Sequence, residues 1–334
     1  MILAAAGACG SAFAEKEKAA RTCDLPKMNA GDRPNSGGGA TKVAVGIFLL
    51  DLTRIDDIGQ QITADFLVFQ TWKDPRLRGL DGCRFGLEQI WSPTLAFLNS
   101  GRVFPGLPAR ATVGADGTMR YVQRHQGSLS FPHRLDEFPF DKHAIGITMV
   151  PTGQPADKVA LTVDKKNSGR RETLSIPDWT LGDPVGVSGE MKHPLTAGTL
   201  SQIYFSITAE RLYQYYLWKI LMPLMLIVAM SWSVFWINPA KFGPQIGMSA
   251  TSMLTLIAFQ FAMASILPRL SYFTLLDAFI TASTVLVFAA LLVSLTTSYL
   301  VSIERTETAL RIDRTCRWAF PLTFFVVVVA IFIV

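Results

Sequence analysis

The residues with the most telling spacing lie between positions 247 and 265. Gly247, Thr251, Leu254, Ala258, Phe261 and Ser265 recur at alternating steps of four and three, which puts them on one face of a helix. That face runs from small and hydroxylic, through apolar, to polar again. Off it lie Ser249, Ser252, Thr255 and Gln260, and the surrounding stretch 246–267 carries no charge. Backbone groups in lipid are satisfied within the helix itself. Side-chain hydroxyls are then tolerated against another helix or against water. Two readings follow, and periodicity leaves both open. The hydroxyls join neighbouring helices, or five copies surround an axis and the stripe lines a pore. In the second case Thr251 makes a hydrated ring, and Leu254, Ala258 and Phe261 a constriction that excludes water.

Other chemistry finds little support. No GxSxG, HExxH or Walker loop occurs, and the adjacent Asp136 and Glu137 point apart on an extended chain, so an enzyme is not expected. Cys9, Cys23, Cys83 and Cys316 show no CxxC spacing. They predict neither a metal site nor a disulfide framework, and no cofactor is expected. The net charge is +5, yet no basic stripe interleaves with aromatics, so nucleic acid is not an expected partner. Four histidines, His125, His133, His143 and His193, allow proton sensing. They read either as exposed residues without a role or as proton sensors, with His133 and His143 flanking the segment Phe138-Pro139-Phe140-Asp141.

These residues need elements to hold them. Half of the 334 residues are hydrophobic and 17% are charged, against about 25% charged in an average soluble domain. The apolar excess falls after Tyr213 and the charges mostly before it. Residues 1–14 read as the remnant of a secretory signal, with Ala12-Phe13-Ala14 as a small-x-small site. Residues 15–40 have the composition of a flexible segment. Over 41–212, short runs rich in β-branched and aromatic residues, such as VAVGIFLLDL and ITADFLVFQTW, alternate with turn signals. They predict an antiparallel β-sandwich. Residues 213–334 predict a four-helix transmembrane bundle, with helices at about 213–238, 245–267, 273–300 and 316–334. A secreted amino-terminal half places that domain on the extracytoplasmic face of the inner cell membrane. Lys241, Arg305, Arg311, Arg314 and Arg317 then fall inside, as the charge asymmetry of membrane proteins requires. Trp232 and Trp236 fit an aromatic belt.

Five segments resemble a known family. WKDPRL (72–77), WSPTL (91–95) and LDEFPFDKHAIGI (135–147) resemble signatures of the Cys-loop receptors and their bacterial relatives, the pentameric ligand-gated ion channels. ILPRLSYFTLLD (266–277) and CRWAFPL (316–322) resemble the ELIC-type bacterial members, and Pro223 also matches. The resemblance covers about residues 42–334. It departs from the animal receptors in two ways. The positions of their loop disulfide are Phe131 and Ile145 here, and residues 301–317 form a short linker in place of a long cytoplasmic insert.

The resemblance implies a homopentamer in the membrane lipid, opened by a small-molecule ligand to pass ions through the stripe, with a gate at Leu254 or Phe261. It implies an ion cluster between the domains in which Arg211 bridges Asp57 and Asp141. Ile58, Pro139 and Phe140 would press on Pro268, Arg269 and the linker as far as Tyr272. The ligand positions fall on Leu67, Leu98, Thr152, Lys192 and Leu200. None is aromatic, which disfavours a quaternary-ammonium cage. Lys192 and His193 suit an anionic or polar ligand, or are solvated loop residues. For selectivity, Gly243-Pro244-Gln245 matches neither the acidic ring of cation channels nor the Pro-Ala-Arg stretch of anion channels. Pro239-Ala240-Lys241 resembles the latter, displaced. Monovalent cations are the expected cargo. The alternatives are an anion-selective or proton-gated channel of the same fold, or a membrane sensor that does not conduct.

Overall fold

The computed structural model describes residues 23–192, 198–238, 242–264 and 270–332. Six long strands carry the first half: Thr41–Asp56 (β1), Gln61–Lys73 (β2), Thr118–Ser130 (β3), Lys142–Pro151 (β4), Val185–Lys192 (β5) and Thr199–Arg211 (β6). β1, β2 and β3 are the antiparallel centre of one sheet. In the second sheet β6 pairs with β4 on one edge and with β5 on the other. The two inner faces meet in one core that includes Val45, Phe66, Trp72, Met119, Ile147 and Phe205.

Side chains alternate across a strand, and this sets where the charges go. In β6 the inward series Ile203, Phe205, Ile207, Ala209 ends on Arg211, so the guanidinium arrives on the buried face at the foot of the sandwich. The β1–β2 turn comes to the same end. It is held by Gly59 N–H donating to Asp56 Oδ1 at 3.0 Å, with Gln60 at positive φ.

Four helices among the described residues are long and apolar enough to cross a membrane: Gln214–Trp236 (α1), Phe242–Ala264 (α2), Leu275–Ser302 (α3) and Thr306–Phe332 (α4). In α1 a wide turn at Leu217–Leu221 precedes Pro223, which lacks a backbone donor. α3 opens on a capping box in which Thr274 and Asp277 satisfy each other's backbone N–H.

Three expectations are corrected. α4 begins at Thr306, ten residues earlier than the sequence reading placed it. Glu307 and Arg311, and Asp313 and Arg317, are spaced four apart on one helical face, so the helix continues through the charged stretch taken for a linker. Cys23 and Cys83 form a disulfide with Cα atoms 5.7 Å apart across 60 residues of sequence. Sequence spacing alone could not pair cysteines so far apart. Of the supposedly flexible segment, residues 23–40 are tied down. Besides the disulfide, Leu25 and Met28 pack on the core, and Arg33 donates to the carbonyls of Gly39 (2.7 Å) and Lys158 (2.9 Å). The proposed signal remnant lies outside the described residues.

Candidate functional site

The junction of the two halves is built around Arg211. Its guanidinium donates from Nε to Asp141 Oδ1 at 2.8 Å and from Nη2 to Asp141 Oδ2 at 3.1 Å. The same Nη2 donates to both oxygens of Asp57, at 3.1 and 3.0 Å. Strand register delivers the arginine, the β1–β2 turn delivers Asp57, and the loop before β4 delivers Asp141. The Arg211 side chain is 4% exposed and that of Asp141 2%. Trp179 and Phe138 lie under the guanidinium, with ring centroids 4.2 and 4.9 Å from Cζ. Aromatic faces replace part of the lost hydration of a buried cation. Removal from water opposes the charge on Arg211, but its two carboxylates outweigh that and raise its pKa further. Burial likewise works against the Asp141 carboxylate. Hydrogen bonds from His143 and Arg211 prevail and lower its pKa.

Two histidines close the cluster, the pair that the sequence offered either as exposed residues without a role or as proton sensors. His133 Nε2 is 3.1 Å from Asp57 Oδ1, and His143 Nε2 is 2.8 Å from Asp141 Oδ2. The two imidazoles meet edge to face, centroids 4.8 Å apart. Trp179 was not anticipated. No motif marks it, and only the pairing of Trp179–Leu181 with the end of β6 brings it to Arg211.

Below this cluster the loop Leu135–Asp141 enters the helical bundle. Leu135 and Phe138 are buried with Leu224, Phe279 and other bundle residues. The Phe138–Pro139 peptide is cis. Phe138 packs edge-on against Tyr216, and Phe140 against Tyr213 and the far end of α4 at Phe332. Two hydrogen bonds cross to the start of α3 and the segment before it: Tyr272 Oη accepts from Leu135 N–H at 2.9 Å, and Leu275 N–H donates to Asp136 O at 3.0 Å. Arg134 lies over the Tyr272 ring at 4.8 Å. Pro139 is buried, whereas Ile58 is 68% exposed in the single subunit. Pro268, Arg269 and Ser265 lie outside the described residues, as do Lys241 and His193.

On α2, Gly247, Thr251, Leu254, Ala258 and Phe261 are all exposed, Leu254 at 69% and Phe261 at 76%. The opposite face is bonded into the subunit's own bundle. Ser249 Oγ donates to Ser294 Oγ at 2.9 Å and Gln260 Nε2 to Thr284 Oγ1 at 2.6 Å, both on α3. Gln245 Nε2 donates to Asp313 Oδ2 of α4 at 3.2 Å, both residues fully buried. Half of the polar set off the stripe, Ser249 and Gln260, is therefore interhelical bonding, while the stripe itself faces away. Thr251 and Thr255 each donate to the carbonyl one turn back, at 2.8 Å.

The five ligand positions are not gathered in one subunit. Leu67 sits on β2, in the first sheet, opposite Arg124 of β3. Leu98 and Thr152 flank the short ladder between Leu95–Phe97 and β4, in the second sheet, and Lys192 ends β5. Leu200 is a correction. It is 6% exposed, shielded by its place in the ladder opposite Met191, and offers no surface to a ligand. Beside Leu67 the first sheet carries a groove of about 430 Å³, lined among others by Phe69, Thr71, Arg120, Val122 and Lys166. Among the described residues, no cluster of ligating side chains could hold a metal.

Comparison with known proteins agrees with this architecture. Residues 24–213 match the neurotransmitter-gated ion-channel ligand binding domain, and residues 220–310 the neurotransmitter-gated ion-channel transmembrane region. A proton-gated ion channel of Gloeobacter violaceus is 24% identical over 289 residues, covering 84% of this chain and 80% of that protein. The theta subunit of the mouse gamma-aminobutyric acid receptor is 27% identical over 80% of this chain. A beta-like subunit of the Drosophila melanogaster receptor is 25% identical over 78%. The chain spans only 43% and 56% of those two animal subunits.

Proposed function

This chain belongs to the neurotransmitter-gated ion-channel family, a family of pentameric channels rather than enzymes, and from that premise we propose that five identical copies form a cation channel. The chain is a multi-pass membrane protein and a ligand-gated ion-channel subunit. In our reading the stripe Gly247, Thr251, Leu254, Ala258, Phe261 and Ser265 lines the pore. The observation that carries it is the division of α2 into a face bonded to α3 and α4 and a face left exposed. Five such faces around an axis enclose a path that narrows to apolar rings at Leu254 and Phe261, where water is excluded until the helices tilt. The Thr251 hydroxyl donates its proton to Gly247 O, so the lone pairs of that oxygen remain free to accept. A ring of acceptors favours cations. Lys241, just before α2, is the feature that would favour anions instead.

The ligand would enter between sandwiches, since Leu67 and the groove with Arg120 and Lys166 belong to one sheet and Leu98, Thr152 and Lys192 to the other. The absence of aromatic residues at these positions, and a groove that sets Arg120 and Lys166 beside Asp164, favour a polar small molecule. A second reading, proton gating, is supported by the Gloeobacter relative and by the two histidines at the junction. We place the chain with the ELIC-type bacterial members on the segments 266–277 and 316–322. We assign the sandwich to the extracytoplasmic side of the inner membrane. The Cys23–Cys83 disulfide supports an oxidising compartment there, and Arg305, Arg311 and Arg314 cluster at the opposite end of the bundle.

In the coupling we propose, Asp57, Ile58, Asp141 and Arg211 transmit movement of the sandwich to the segment around Pro268 and Arg269, with Tyr272 and Asp136 as the described points of attachment. The test is current recorded from oocytes expressing the chain. The bath is stepped from about pH 8 to about pH 4, then through small amines and carboxylates, with reversal potentials in diluted NaCl. A gated current whose reversal follows the cation gradient is expected. A reversal that follows chloride would overturn the cation reading, and silence from confirmed surface pentamers would favour a sensor that does not conduct.

A further inference from the structure

His133 is held in a way that a neutral imidazole does not satisfy. Its Nδ1 lies 2.8 Å from the carbonyl oxygen of Phe131, and its Nε2 lies 3.1 Å from Asp57 Oδ1. Both partners are acceptors only. A neutral ring carries one N–H, so whichever tautomer forms, one nitrogen presents a lone pair to an oxygen lone pair. The imidazolium, with two N–H groups, satisfies both. The side chain is 3% exposed, and the Phe131 ring is stacked on it at 4.3 Å. Water therefore has little access to relieve the conflict.

The charges around it point the same way. Asp57 comes from the β1–β2 turn, Asp141 from the loop before β4, His143 from the start of β4, and Arg211 from the end of β6. With both imidazoles neutral, the cluster has two carboxylates against one guanidinium, and a single proton balances it. Of the remaining charged groups nearby, Glu137 and Asp178 are exposed carboxylates, and the others are paired among themselves near the surface. Arg54 meets Asp56, Arg134 meets Asp136, and Lys142 meets Glu210. The backbone carbonyl of Asp178 accepts from Leu212 N–H, and Tyr216 adjoins Arg211 from α1.

We propose that the domain junction is a proton-binding site with His133 as the acceptor, and that proton uptake there fastens the Asp57 turn and strengthens coupling to the pore. The proton is then a ligand of this chain in its own right, acting some distance from any site between sandwiches. Burial opposes the charged ring, but the hydrogen bonds to Asp57 and Phe131 prevail and raise its pKa. The coupling half of the proposal rests on the channel reading above; the proton site does not.

Two measurements separate them. The first is thermal unfolding of the purified full-length protein and of His133→Gln from about pH 5 to about pH 9. Gln supplies one donor and one acceptor, as a neutral imidazole does. A group whose pKa is raised on folding adds stability that is complete below its unfolded value and disappears as pH rises through its folded value. The wild type is therefore expected to melt higher than the variant in acid, with the gap closing in base. A gap that stays constant across the range would overturn the proton site, whatever currents are seen. The second is the pH profile of the current. Acidification is expected to increase it in the wild type, and His133→Gln is expected to lose that increase. An unchanged profile in the variant would overturn the coupling while leaving the site intact. Should His133→Gln fail to assemble, Asp57→Asn serves in its place. The amide donates to a neutral Nε2, so the pH-dependent part of the stability should vanish there too, and its persistence would refute the assignment.

Discussion

The two carboxylates of the junction should not be worth the same, and the difference can be worked from the contacts. Asp141 receives two hydrogen bonds from different nitrogens of Arg211 and one contact from His143, with a side chain 2% exposed. In Asp141→Asn one oxygen becomes an NH2 group facing the Arg211 donors, and a nearly dry carboxylate is lost from a cation that cannot release its proton. Breaking one partner of a buried pair costs about 3–5 kcal/mol. Asp57 shares a single nitrogen of Arg211 between its oxygens and is 17% exposed, so water replaces part of what is lost. A hydrogen bond to a charged group is worth about 1.5–3 kcal/mol, and partial hydration should put Asp57→Asn at the low end of that range. The expected gap of about 2 kcal/mol corresponds to roughly a 30-fold difference in equilibrium constant.

Unfolding of the solubilised protein near neutral pH, followed by tryptophan fluorescence, is a suitable assay because Trp179 stacks on Arg211. Arg211→Lys belongs in the same series. It keeps the charge but not the fork, and should destabilise although the net charge is unchanged. The Asp141 pKa is lowered, so its contribution is present above the ordinary carboxylate value and lost as pH falls through the lower folded value. Wild type and Asp141→Asn should accordingly converge only in strong acid. If Asp57→Asn costs as much as Asp141→Asn, the burial argument fails, and so does the picture of Asp141 as the anchored partner and Asp57 as the movable one.

Leu254→Ser should ease opening, seen as a standing leak or as activation at lower agonist concentration; unchanged sensitivity with no leak would remove Leu254 from the gate. Cys83→Ser should lower stability by about 2–4 kcal/mol, because the bridge closes a loop of 60 residues in the unfolded chain; identical melting with and without reductant would contradict this. Gln245→Leu should destabilise strongly, since Asp313 Oδ1 already lacks a partner among the described residues and Gln245 supplies the bond to Oδ2. Adding Asp313→Leu should recover most of the loss, as replacing both members of a buried polar pair by apolar residues is often neutral; a double variant as unstable as the sum would refute the pairing.

Much of the fold was legible because its signals are local. Runs rich in β-branched and aromatic residues marked β1 and β2, and apolar runs with at most one charge marked three of the helices to within a few residues. α4 was misjudged because apolarity was read as the criterion for helix. A helix can run out of the hydrocarbon and continue in water, and the i,i+4 charges of residues 307–317 were the available sign. Cys23 and Cys83 could not be paired because their proximity depends on how the amino-terminal segment folds back along the sheet, which spacing does not encode. Within the site, Arg211, Asp57 and Asp141 were legible only through the family resemblance. Their meeting depends on three separate chain segments reaching one end of the sandwich, and nothing in their individual neighbourhoods announces it. Ser249, Gln260 and Gln245 illustrate a subtler limit. The sequence showed too many polar residues for a lipid-facing helix, but not which were spent on α3 and α4 and which remained on the exposed stripe.

The junction also answers why a charged cluster sits where an apolar contact would be cheaper to build. An apolar interface tolerates sliding, since its contacts are non-directional. A guanidinium shared between two carboxylates does not, because each bond fixes an angle as well as a distance. Arg211 is rigidly part of β6, and Asp141 is rigidly part of the loop whose Leu135 and Phe138 are embedded in the bundle. Asp57 is on a turn, reached through one nitrogen and partly hydrated. The cluster thus has two fixed members and one that can leave at modest cost. The loop is tied to the Tyr272 hydroxyl and to Leu275 N–H, at the threshold of α3, so in the coupling we propose a shift of the sandwich would reach the bundle as a change in which carboxylate Arg211 holds. His133 bears on the weaker of the two links. A proton placed there changes the strength of the contact most easily broken, and that is where a small free energy has the largest effect on the balance between two states.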